Sequence, residues 1–151
     1  MLSLFKKKEL FTPEEKETIV EAVRKAEQRT SGEVRVFVER RCRYVNAIDR
    51  AVEIFENLQM HQTQLRNAVL VYVAIKDRQL AVFGDEGIHK KVGDQYWANE
   101  VVKMINAFNR DNIAEGISQC VDDIGEALCT HFPYDKNTDK NELPDDIVFG
   151  R

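Results

Sequence analysis

The chain lacks paired cysteines at any metal or redox spacing. Cys42, Cys120 and Cys129 are odd in number and far apart, which excludes a disulfide framework. Reduced thiols in a cytoplasmic protein are the simpler expectation. His61, His89 and His131 are scattered, so no zinc finger can be built from sequence neighbours. There is no GxxxxGK phosphate loop and no GxSxG nucleophile elbow. Long apolar runs are missing too. The longest, Ala68 to Ile75, has eight residues, against the roughly 20 that a spanning helix needs. Basic excess is also absent. With 22 Lys and Arg against 26 Asp and Glu, the net charge is −4, which argues against a general binder of nucleic-acid phosphates. Leu4-Phe5 followed by Lys6-Lys7-Lys8 reverses the basic-then-apolar order of a signal peptide. Such a start suits a weak contact with a membrane surface or with a protein partner at a membrane.

What remains is one ordinary domain. The 151 residues suffice for a single core, and 43% apolar residues exclude global disorder. Phe11-Thr12-Pro13-Glu14-Glu15 opens a first helix, with Thr12 as N-cap, Pro13 at the first helical position and Glu15 completing a capping box. Ile19, Val20, Val23 and Ala26 share its inner face. The helix is expected to stop at Thr30-Ser31-Gly32, with Gly32 in a left-handed C-terminal position. Residues 33–39 alternate as a strand, Val34, Val36 and Val38 against Glu33, Arg35, Phe37 and Glu39. Val45, Ile48, Val52 and Phe55 predict a second helix over about 44–59. Ala68 to Ile75 reads as a strand covered on both faces. Lys76-Asp77-Arg78 reads as a tight turn into a third strand from Gln79 to Phe83. Gly84-Asp85-Glu86-Gly87 then breaks the chain.

Helices follow over about 94–109, with Trp97, Val101, Met104, Ile105 and Phe108 inward, and about 112–130, with Ile113, Ile117, Cys120 or Val121, Ile124 and Leu128 inward. His131 at the last helix end reads as structural. The expected organisation is an N-terminal segment (1–11), a domain (12–132) and an acidic tail (133–151) lying on the surface or disordered. This order of elements predicts an α/β fold with a mixed sheet between helices.

The loop carboxylates are the candidates for chemistry. Asp85 and Glu86 are adjacent and flanked by glycines. Glu33 opens the first strand after Gly32, Asn67 precedes the second, Asp94 follows Gly93, and Asp111-Asn112 links the last two helices. Hard cations such as Ca²⁺ take oxygens from carboxylates, amides and backbone carbonyls, and loops meeting at one sheet edge can supply such a set. Acidic loop residues also serve as turn formers and helix caps.

At these residues the chain resembles the TPM domain family. The resemblance rests on Thr30-Ser31-Gly32-Glu33-Val34-Arg35-Val36, Asn67-Ala68-Val69-Leu70-Val71-Tyr72-Val73 and Gly84-Asp85-Glu86-Gly87-Ile88. Trp97, Phe108, Gly116-Ile117, His131-Phe132-Pro133 and Asn141-Glu142-Leu143-Pro144-Asp145 are similar to a bacterial subgroup that consists of a lone TPM domain. The resemblance implies a three-layer αβα sandwich with a four-stranded sheet, and crossing loops held by divalent metal, usually calcium. Carried over by position, it implies Glu86, Glu33 and Asn67 as ligands, with Asp85 acidic as in close relatives. Lys91 stands where the family often has Asp, and Asp111-Asn112 where it often has Gly-Asp. Lys91 argues against a second metal, for which Asp111 is the compensating candidate.

The metal set expected is thus Glu33, Asn67, Asp85, Glu86 and Asp111. The fourth strand is expected from Lys6 to Phe11 or from Ile147-Val148-Phe149. Some family members are acid phosphatases, and here Asp85 would be the nucleophile and Glu86 the acid or base. No pKa-tuned pair is visible in the sequence. The leading expectation is therefore a non-enzymatic, calcium-responsive accessory or regulatory module. An acid phosphatase-like phosphomonoester hydrolase and an interaction domain for a membrane-protein partner are the alternatives.

Overall fold

The computed structural model describes residues 10–134 and 147–150. The first helix, α1, runs Pro13–Gln28 and starts as its residues dictate. The Thr12 hydroxyl accepts from the Glu15 amide at 3.1 Å, and the Glu15 carboxylate accepts from the Thr12 amide at 2.8 Å. Ile19, Ala22, Val23 and Ala26 are buried. The helix closes at Arg29, and Gly32 is not left-handed, contrary to the sequence expectation. Gly32 is needed for space instead: a Cβ there would lie 2.8 Å from the Leu128 side chain and 3.1 Å from the Asn67 carbonyl oxygen.

Four strands form one mixed sheet. They are β1 (Glu33–Glu39), β2 (Ala68–Ala74), β3 (Gln79–Gly84) and β4 (Val148–Phe149), in spatial order β3-β2-β1-β4. β1 pairs in parallel with β2, with Glu33 opposite Ala68, and in parallel with β4, with Phe37 opposite Val148. β2 and β3 form the expected antiparallel hairpin, with Val69 opposite Gly84. Every residue of β1 and β2 is buried, because helices cover both faces. Val34, Val36, Val38, Val69, Val71 and Val73 pack toward α1, α3 (Glu86–Val92), α4 (Asp94–Asn109) and α5 (Ile113–His131). Phe37, Leu70, Tyr72 and Ala81 pack on the other face against α2 (Ala47–Asn57). The architecture is the three-layer αβα sandwich.

Several local expectations change. α2 begins at Ala47, three residues later than the periodicity suggests, and Val45 is 95% exposed while Ile48 is 41% exposed. The preceding loop is held away from the helix by the bonds of Arg41 and the Cys42 amide to Asp77, and the inner stripe is Ala47, Ala51, Ile54 and Phe55. Residues 84–87 are more than a break. Asp85 caps the short helix α3, and Gly93, at φ 81°, turns the chain from α3 into α4. The end of the predicted surface tail enters the sheet as β4, with Ile147 buried. Of the other fourth-strand candidate, Lys6 to Lys8 and Glu9 lie outside the described residues. The same holds for the apolar-basic start and for 135–146. No helix among the described residues is long and apolar enough to cross a membrane.

On α4, Ile105 is exposed, and the core position falls to Glu100, which is 2% exposed. Lys103 Nζ reaches Glu100 Oε2 at 3.1 Å, while Oε1 has no hydrogen-bond partner among the described residues. Burial pushes the Glu100 carboxyl above the usual carboxylate range, against the pull of Lys103 and with the help of Asp123. A raised folded-state pKa means that the folded protein holds this proton more tightly than the unfolded chain. Stability from this group is therefore full below the unfolded value, about 4.3, and is lost as pH rises through the folded one. Glu100→Gln is expected to gain stability over the native protein as pH rises from about 4 toward neutrality. A difference in urea midpoints that stays flat over that range would contradict this account.

Candidate metal centre

The sheet topology brings three loops to one edge. β1 and β2 are parallel, so their starts lie together, and the antiparallel β3 ends beside them. Glu33 therefore stands at the start of β1, Asn67 directly before β2 and Asp85 directly after β3. All three are buried, at 3%, 1% and 4% exposure. Asn67 Nδ2 donates to Ser31 Oγ at 3.4 Å, which ties the second loop to the first. The Thr30 hydroxyl donates to the Phe132 carbonyl, and the Ser31 amide donates to the same oxygen at 3.0 Å, anchoring that loop to the end of α5.

The second and third loops are bound to each other. The Asp85 amide donates to the Ala68 carbonyl at 2.9 Å and the Gly87 amide to the Arg66 carbonyl at 2.8 Å. This approach is too close for a side chain. A Cβ on Gly87 would fall 2.2 Å from the Leu65 carbonyl oxygen and 2.6 Å from that of Arg66. The glycine after Glu86 is thus a requirement of backbone packing. Arg66 itself adopts φ 52°, which turns its side chain back over the third loop.

There its guanidinium forms a two-pronged ion pair with Asp85. Nε lies 2.7 Å from Oδ2 and Nη2 2.8 Å from Oδ1. Asp85 Oδ1 also accepts from the Glu86 amide at 2.8 Å, as the cap of α3. A weaker contact joins Arg66 Nη1 to Glu86 Oε1 at 3.4 Å. The Asp85 hydrogen bonds raise the Arg66 pKa further above its ordinary value. The Glu86 side chain is 58% exposed and points to solvent.

Beside this pair lies a cleft of about 550 Å³, lined by Arg66, Asp85, Glu86, His89, Asp94 and Trp97 among others. The Trp97 indole donates to His89 Nδ1 at 3.0 Å. That bond leaves Nε2 as the proton-bearing nitrogen of the neutral ring, directed to Asp94 Oδ1 at 3.4 Å.

Four of the five expected metal residues, Glu33, Asn67, Asp85 and Glu86, thus share this edge. Asp111 does not. It is bonded to Arg78 at 3.5 Å, in the β2–β3 turn at the opposite end of the sheet, and its side chain is 89% exposed. Lys91 lies in the last turn of α3. Among the described residues no three His, Cys, Asp or Glu side chains stand close enough to share one ion. The donor types do suit a hard cation: adjacent carboxylates, an amide and loop carbonyls. The positive charge beside Asp85 is the Arg66 guanidinium. Arg66 escaped the sequence reading because it has no periodic or motif context. Its one signal is its place directly before Asn67, in a loop that must reach an acidic one.

A family model described as the TPM domain matches residues 4–127. Similar solved structures include the NMR structure of the BA42 protein from the psychrophilic bacterium Bizionia argentinensis. It is 38% identical, with a TM-score of 0.85, and the match covers 97% of this chain and 99% of that one. The N-terminal domain of the cg2496 protein from Corynebacterium glutamicum is 12% identical with a TM-score of 0.58, covering 79% and 74%. That second likeness concerns the fold alone. No curated protein matches the chain.

The close loop packing sets a checkable cost. Gly87→Ala must push two carbonyls apart, and overpacking of this kind costs about 2 kcal/mol. Chemical denaturation of the variant reads that loss directly. A variant as stable as the native protein would show that the loops separate freely.

Proposed function

Since the chain belongs to the TPM domain family, we propose that it is a cation-responsive accessory or regulatory module, with calcium held at the loop edge. The observation that supports this reading is the burial of Glu33, Asn67 and Asp85 together at one sheet edge, with Glu86 beside them. Polar groups taken out of water need charge or hydrogen bonds to balance them. Asp85, Glu86, Asn67 and Glu33 are the residues that would hold the cation, and their side chains would have to converge to do so, because no three acidic side chains among the described residues stand within reach of one ion. When bound, it supplies two positive charges and a demand for oxygen ligands. The chain's own part is to present those oxygens from three loops, two joined backbone to backbone and the first tied to them by the Asn67–Ser31 hydrogen bond. Arg66 is the group that must yield, and its half-exposed side chain has solvent to move into.

The accessory reading is favoured over a phosphatase by the state of Asp85. Both its oxygens accept hydrogen bonds, from Arg66 and from the Glu86 amide, so neither is free to attack while the Arg66 ion pair stands. The free thiols of Cys42, Cys120 and Cys129 support a place in the reducing cytoplasm.

Calcium titration of the full chain, followed by amide NMR, tests the proposal. Saturable shifts are expected at residues 63–68 and 84–92. Glu86→Gln, which removes an exposed carboxylate and leaves the core untouched, should weaken binding roughly tenfold, the equivalent of about 1.4 kcal/mol. Absence of any shift at millimolar calcium overturns the proposal.

A further inference from the structure

The opposite end of the sheet carries the opposite charge. At the carboxyl end of β1, Glu39, Arg40, Arg41, Arg43 and Tyr44, with Arg50 of α2, line an open cleft of about 660 Å³. The carboxylates around it are already answered. Glu39 accepts from Arg50 Nε at 2.9 Å, from Arg50 Nη2 at 3.0 Å and from the Tyr72 hydroxyl at 2.5 Å. Glu53 accepts from the Tyr44 hydroxyl and from Arg50, which together hold its carboxyl below the usual range. Asp77 accepts from Arg41 Nη1 at 2.9 Å and from the Cys42 amide at 2.8 Å, pinning the arginine loop to the β2–β3 turn. Arg40 and Arg43 have no carboxylate partner among the described residues. Lys76, whose amide donates to the Arg40 carbonyl at 2.8 Å, adds a further cation nearby.

The position is one where such sheets bind ligands. From β1 the chain passes through α2 to β2 on one side, while β4 lies parallel to β1 on the other. The carboxyl edge between β1 and β4 is therefore a point where the chain's direction of travel switches, and ligands gather in the crevice there. The end of β4 reaches this spot: the Gly150 amide donates to the Val38 carbonyl at 2.8 Å.

We infer that this cleft binds a small phosphate-bearing anion through Arg40 and Arg43. Guanidinium forks match the paired oxygens of a phosphate, and two uncommitted forks at one concavity are what a dianion needs. The cleft falls within the range of small-molecule sites, roughly 300–1,000 Å³. A nucleic-acid strand is disfavoured by the net charge of −4. The arginine run matches no motif in the sequence; the fold makes it the lining of a cleft.

The test uses the full chain in calcium-free buffer, titrated separately with inorganic phosphate and with glycerol phosphate and followed by amide NMR. Saturable shifts at residues 40–50 and 76–77 are expected. Tighter binding of the ester assigns a phosphate monoester as ligand, and equal or tighter binding of inorganic phosphate assigns the free ion. The double variant Arg40→Gln, Arg43→Gln should bind at least tenfold more weakly with an unchanged melting temperature. Should that variant fold poorly, Arg43→Lys keeps the charge, loses the fork and should still bind severalfold more weakly. The inference is overturned if neither anion gives saturable shifts, if sodium chloride at equal ionic strength reproduces them, or if the variants bind as the native protein does.

Discussion

Burial of the two central strands on both faces is the constraint from which the rest of the structure follows. Valines on one side and Phe37, Leu70 and Tyr72 on the other leave no solvated face on β1 or β2. Any polar side chain on these strands must then find a partner inside the protein. Glu39 does so through Arg50 and the Tyr72 hydroxyl, whose ionisation is pushed well up by burial and by Glu39. Arg35 is held beside Glu27 and Glu33, whose charges partly offset the burial that lowers its pKa. With both faces closed, the two central strands reach solvent through the loops at the sheet's two ends.

Those ends are electrostatically distinct. The starts of the parallel strands gather Glu33, Asn67, Asp85 and Glu86, with the Arg66 guanidinium set against the last two. Their carboxyl ends gather Arg40, Arg41, Arg43 and Arg50 around carboxylates that Arg50, Arg41 and two tyrosine hydroxyls already satisfy. A net charge near zero per surface patch would blur this contrast. Here it is produced by chain direction, because parallel strands send all their entry loops one way and all their exit loops the other. The overall charge of −4 describes neither end.

Much of this was legible from residues alone, for identifiable reasons. The capping box at Thr12 and Glu15, the alternation in β1 and the apolar run of β2 are local signals, and local hydrogen bonding and burial decided them. The resemblance carried by the Thr30, Asn67 and Gly84 blocks points to the same three loops that the sheet topology brings to one edge. What the residues did not convey depends on tertiary partners. Val45 and Ile105 fit a helical period but lost their inward places to Ala47 and Glu100, since the packing partner sets which stripe is buried. Gly32 carries the glycine of a helix end, yet Leu128, distant in sequence, dictates it. Asp111 shares the chemistry of the other acids, but β2 and β3 place it beyond reach, against Arg78.

Arg66 joins the loops of the acidic edge twice, once through its backbone and once through its side chain. Its backbone carbonyl holds Gly87, and that bond does not depend on where the side chain points. Its guanidinium answers Asp85, whose side chain is 5% exposed, while the guanidinium side chain is itself 42% exposed. Breaking a buried pair is costly because a charge is left behind without compensation. A replacement that brings its own positive charge avoids that penalty, whereas simple removal of Arg66 does not. The loop joint made by the two backbone hydrogen bonds would survive such an exchange. The strands beneath the edge are thus held in register by backbone bonds that do not depend on the Arg66 side chain.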